Sequence, residues 1–119
     1  MYAYEIPNLR FSLPAGGAVA RHRFVSVSSE KAIQATAATQ IIGVSMNEVT
    51  AAENTAGGHI VEIADGIVMV EAAGAITAGV AVYADANGKA TATAGTANVA
   101  GIAITAAAAA GDLIAVKMF

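Results

Sequence analysis

His59-Ile60-Val61-Glu62-Ile63-Ala64-Asp65-Gly66-Ile67-Val68-Met69-Val70-Glu71 is the stretch that decides the fold class. Apolar residues alternate with others on both sides of Asp65-Gly66, the period of a strand with one buried face. Asp-Gly is a favoured pair for a two-residue type I′ turn, so the spacing predicts a hairpin of His59–Ala64 against Ile67–Glu71. In that register Ile63 faces Val68 and Val61 faces Val70, with Glu62 beside Met69 on the other side.

Further along the chain, Val80–Ala84 and Lys89–Thr93 read as a second hairpin around Asp85-Ala86-Asn87-Gly88. Ala18–Val27, Ile41–Met46, Val99–Thr105 and Leu113–Met118 complete about eight short strands. The run Ala106–Ala110 is too short to sustain a helix and reads as a loop or a single helical turn.

Composition points the same way. Of 119 residues, 31 are Ala and 23 are Val or Ile, against 3 Leu. The β-branched pair suits strands, and Ala interleaved with Gly, Thr and Val does not build helices. The expected fold is all-β, a small barrel or sandwich. With 56% hydrophobic and 13% charged residues and a mean hydropathy of +0.62, disorder by charge excess is excluded. A domain this small buries little apolar area per Ala and has no Cys to staple it. Self-association or a larger partner would supply the missing burial.

The chain also echoes itself. A shift of 58 residues lays Ala15-Gly16 on Ala73-Gly74 and Lys31-Ala32 on Lys89-Ala90. It also lays Ile41-Ile42-Gly43-Val44 on Val99-Ala100-Gly101-Ile102, and after a five-residue contraction Gly58–Ile63 falls on Gly111–Val116. This predicts one β domain over 15–119, made of two similar halves of about 15–72 and 73–119. Residues 1–14 differ from it: Tyr2, Tyr4 and Phe11 sit on a segment interrupted by Pro7 and Pro14, an extended N-terminal arm or a first edge strand.

Charge excludes some classes. The net charge is −3, and residues 1–31 carry four basic and two acidic groups (+2) while 32–119 carry two and seven (−5). A nucleic-acid binder would cluster a basic excess, so none is expected as a partner. The uncharged stretch Ala90–Gly111 is long enough to span a bilayer but is mostly Ala, Thr and Gly, so no membrane span is expected. Ala18-Val19-Ala20 resembles a signal cleavage site, but Glu5, Pro14, Gly16 and Gly17 break the pattern before it.

The chain carries no catalytic motif. No Ser stands in a nucleophile motif, and His22 and His59 have no partner at metal-ligand spacing. Asp65, Asp85 and Asp112 are turn residues, and Glu48 and Glu53 read as loop carboxylates. Asn87-Gly88-Lys89-Ala90-Thr91 lacks the first glycine of a phosphate loop, with Tyr83 in its place. No catalytic residue, metal or cofactor is expected. A non-viral β-barrel binding module is the rival class, and it would want an aromatic-lined pocket; this chain has six aromatics and no Trp.

Ala78-Gly79-Val80-Ala81-Val82-Tyr83-Ala84-Asp85, then Gly88-Lys89, then Gly101-Ile102-Ala103, then Ala110-Gly111-Asp112-Leu113-Ile114-Ala115-Val116 is similar to the pattern of small phage capsid cement, or decoration, proteins. The likeness covers most of 15–119. It implies a non-enzymatic virion protein on the outer surface of the capsid. Its partners would be the major capsid protein and further copies of itself, as a homotrimer or alternatively a dimer. The arm's role follows from physics alone. Aromatic and Arg side chains anchor and steer interfaces, so Tyr2, Tyr4, Phe11, Arg10, Arg21 and Arg23 are the expected interface residues.

Overall fold

The computed structural model describes residues 5–95 and 99–119. In chain order the elements are β1 (Ile6–Pro14), β2 (Phe24–Ser28), β3 (Lys31–Gln34), β4 (Gly43–Ser45), α1 (Ala51–Ala56), β5 (Ile60–Glu71), β6 (Ala81–Ala84), β7 (Ala90–Thr91), β8 (Gly101–Ala103) and β9 (Leu113–Met118). Among the described residues the nine strands form one sheet in the order β3-β2-β4-β5-β9-β8-β6-β7, with β1 also paired to β5. All the strand pairs are antiparallel. The fold is all-β, as the Val and Ile excess predicts.

The expected hairpin at Asp65-Gly66 is not formed. The chain runs straight through the pair as the 12-residue strand β5. Ile63 lies opposite Phe11 and Ser45, and Val68 lies opposite Val116. Gly66 is required for a different reason. It has φ 113, and a Cβ there would sit 2.5 Å from the backbone N of Asn8, where β1 carries a bulge between Pro7 and Leu9. A glycine inside a strand marks such a close approach as readily as it marks a turn.

A hairpin the sequence did not announce joins β2 to β3. Its turn, Ser29-Glu30, has φ 51 and φ 65, values more usual for Gly or Asn. The strand expected over Ala18–Val27 starts only at Phe24, because the chain turns through Ala20–His22 and His22 takes φ 60. The loop expected around Glu48 and Glu53 holds the short helix α1. There the Thr50 hydroxyl accepts from Glu53 N at 3.2 Å and Thr50 N donates to the Glu53 carboxylate at 2.9 Å, a reciprocal cap.

Two apolar clusters fill the sheet's concave spaces. The smaller joins Val19, Val25, Ala32, Val49, Val61 and Ile63, with Phe11 and Leu13 of β1 packed on it. The larger gathers Phe24 of β2, Val44 of β4, Val68 and Val70 of β5, Val82 of β6 and Ile114 and Val116 of β9. Strands near both ends of the sheet order, β2 and β6, meet in that second cluster, which requires the sheet to curl. The curl is secured where Phe24 N donates to Gly88 O at 2.8 Å, tying β2 to the β6–β7 turn.

One pairing pattern occurs twice. β2 pairs β3 and β4, and β4 pairs β5; likewise β6 pairs β7 and β8, and β8 pairs β9. Each set contains a glycine facing a neighbouring carbonyl: a Cβ on Gly43 would lie 2.7 Å from Ala64 O, and one on Gly101 would lie 2.1 Å from Lys117 O.

Candidate interaction surface

The expected interface residues do not gather into one patch. Tyr2 and Tyr4 lie outside the described residues. Arg10 is exposed on β1, opposite Ala64 of β5. Phe11, on the same strand, is half-buried against the smaller cluster. Arg21 is exposed in the turn before β2.

Arg23 is engaged inside the molecule. Its Nη2 lies 3.4 Å from Glu71 Oε1, and its Nη1 donates to Asn87 O at 3.2 Å. Lys89 Nζ approaches the other Glu71 oxygen at 3.0 Å. One carboxylate at the end of β5 thus binds a cation from the chain before β2 and another from the β6–β7 turn. It closes the same seam as the Phe24–Gly88 hydrogen bond. Arg23 Nε is buried without a hydrogen-bond partner, as is His22 Nδ1. Sequence spacing could not show this network, since its members lie far apart in the chain.

The network sets an acid limit. Burial pushes the Glu71 carboxyl up, but the Lys89 hydrogen bond and the Arg23 and Lys89 charges outweigh it and hold the group below its ordinary value. A carboxyl with a lowered folded pKa stabilises fully above its unfolded pKa, and that stability is lost as pH falls through the folded value. Melting temperature should therefore hold from neutrality down to about pH 5 and fall below about pH 4. Glu71→Gln is expected to cost about 1 kcal/mol at neutral pH and to shallow the acid limb. A melting series at several pH values checks both; an unchanged acid limb would count against the network.

Glu53 also sits below its ordinary value, chiefly because Thr50 N donates to it. Its second oxygen lies 3.7 Å from His59 Nδ1, an open, solvent-screened pair. Its role is helix capping. Among the described residues no three His, Cys, Asp or Glu side chains converge as a metal site would need. No helix among them is long and apolar enough to cross a membrane.

The described residues form shallow grooves, two of which border β1. One of ≈ 380 Å³ runs between Pro14, Lys31, Asn54 and His59. The other, of ≈ 320 Å³, lies where β1 and β9 flank Gly66 and Ile67, with Lys117 and Phe119 on its rim. Beside the second groove stand two exposed apolar side chains that no local pattern announces: Ile6 is 61% exposed and Phe119 69%. A strand's alternation shows that one face is apolar, but not whether the fold covers that face.

The family model described as phage cement protein matches residues 5–118. No curated protein matches the sequence. Among solved structures, the head fiber gp8.5 N base of bacteriophage phi29 superposes with a TM-score of 0.69 over 93% of each chain, at 18% identity. That identity carries the fold alone.

Proposed function

The chain belongs to the phage cement protein family, and on that premise we propose that it is a non-enzymatic head protein that binds the outside of the assembled capsid lattice and stabilises it. The observation that carries the reading is the family match over nearly the whole β domain. The exposed apolar and basic groups of β1 and its flank give the reading its physical content. Such a protein needs a stiff module and a surface matched to a repeated partner, and it needs no active site.

Of the expected interface set, Arg10, Arg21, Tyr2 and Tyr4 dock on an acidic surface of the major capsid protein, while Phe11 and Arg23 support that set from within the fold. Arg10 and Arg21 carry the steering, because both are exposed. Arg23 contributes through the seam it holds. The protein acts as a homotrimer, with a dimer as the alternative, so that weak contacts from each copy add into firm attachment.

Co-sedimentation with assembled shells of the parent phage tests the reading. Wild-type protein is expected to pellet with shells, and less so as salt rises. Arg10→Glu with Arg21→Glu should weaken binding at least about tenfold while leaving the melting temperature nearly unchanged. Removal of residues 1–4 should weaken it as well. Wild-type protein that stays in the supernatant, or variants that bind at full strength, would overturn the assignment.

A further inference from the structure

Paired residues of neighbouring antiparallel strands share a sheet face. Phe24, Val44 and Ala64 therefore form a row across β2, β4 and β5, ending at Arg10 of β1. All three apolar members are fully buried in the larger cluster. The second pairing set builds the matching row from Ala81, Ile102 and Lys117 across β6, β8 and β9, ending at Ile67 of β5 and Ile6 of β1. This second row is open. Ile6 is 61% exposed, Lys117 is exposed, and Ala81, Ile102 and Ile67 are only partly covered.

The first row is covered from within the chain. The second pairing set packs on it, and its β6–β7 turn is fixed at the Phe24 end by the Gly88 and Asn87 carbonyls. The corresponding turn of the first set, Ser28–Lys31 between β2 and β3, touches no such row. It projects into solvent with Val27 beside it, 48% exposed. One molecule thus carries an open row and a free turn, whose counterparts are already packed on each other inside the same chain.

We infer that the Ala81–Ile102–Lys117–Ile67 row is a docking face for a second copy of this chain, which enters head to tail with its β2–β3 turn. The inference deepens the self-association proposed above and rests on it. Charge supports the same occupant. Lys117 lies in the middle of the row and Glu30 at the tip of the turn, and among the described residues neither has an ion partner. Covering Lys117 without an anion would be costly. Two strand spacings, about 10 Å, separate it from the Ala81 end, within the combined reach of a Lys and a Glu side chain. A head-to-tail contact uses two different patches and closes into a ring when its rotation permits.

Sedimentation velocity of the full chain, at tens of micromolar and with melting curves for every variant, tests the inference. Wild-type protein is expected to self-associate. Ile102→Glu, and Val27→Glu on the opposite partner surface, should each yield folded monomer. Lys117→Glu should weaken association about tenfold, and adding Glu30→Lys to it should restore association. Monomeric wild type, folded Val27→Glu that still associates, or a double charge swap that restores nothing would overturn the inference. Shell co-sedimentation of the same proteins separates the two readings: wild type that binds shells but does not associate sinks this contact alone, whereas failure to bind shells sinks the cement reading.

Discussion

Gly101→Ala is expected to destabilise the protein by about 3 kcal/mol and to lower its melting temperature by roughly 10–20 °C. Gly101 lies in β8 opposite Met118 of β9, and an added Cβ would fall 2.1 Å from Lys117 O and 3.0 Å from Val116 Cγ1. A carbonyl held in a sheet cannot step aside as a flexible side-chain end can. The strand pair must part, and β8 has only three residues with which to hold its place between β9 and β6. Gly43→Ala meets Ala64 O at 2.7 Å and the Ile63 methyl at 2.6 Å, a smaller overlap, and should cost less. Thermal melts by circular dichroism check the order. Gly101→Ala melting within a few degrees of wild type would show that the β8–β9 pairing tolerates separation.

Phe24→Ala is expected to cost about 3–5 kcal/mol, enough to unfold much of the population near 37 °C. Among the described residues Phe24 is the largest fully buried side chain, and its backbone also holds the seam: its N donates to Gly88 O and its O accepts from Ala35 N, both at 2.8 Å. The cluster it belongs to is rich in alanine, with Ala35, Ala64, Ala84, Ala90 and Ala103 among its members. Alanines have no rotamers with which to fill a void, so the cavity would stay open and the cost should lie toward the upper end. Phe24→Leu keeps most of the volume and should cost under about 2 kcal/mol. Urea titration of both variants measures the difference. Equal midpoints would mean that the ring volume is not what joins the two pairing sets.

Several features of the fold were legible because they depend on neighbours in sequence. Leu113–Met118 forms a strand over its expected range, since alternation around a turn at Gly111-Asp112 needs no distant information. The β6–β7 turn forms at Asp85–Gly88, where the Asp85 carboxylate accepts from Asn87 N and Lys89 N, both at 2.8 Å. The Thr50-x-x-Glu53 cap is equally local; reading Glu48 and Glu53 as loop carboxylates passes over it.

The candidate surface was legible only in part. Arg10 and Arg21 are exposed, as basic residues beside a small apolar domain tend to be. Nothing in Arg21-His22-Arg23 says that the second arginine turns inward to a carboxylate 48 residues later. Nor does any local pattern separate Ile102, on an open face, from Val44, buried on the corresponding one.

The all-β class follows from β-branched content and two-residue periodicity alone, and the order of the turns carries the cement-protein pattern. What Asp65-Gly66 does, which strands β5 joins, where Arg23 points and which face of each row is covered emerge only from contacts between distant segments. The physical reason is the range of the interactions. Turn preference and strand alternation act within a few residues. Strand partnership is chosen by the apolar area that distant strands can bury together, and at Gly66 that gain exceeded the local preference of an Asp-Gly pair for a turn.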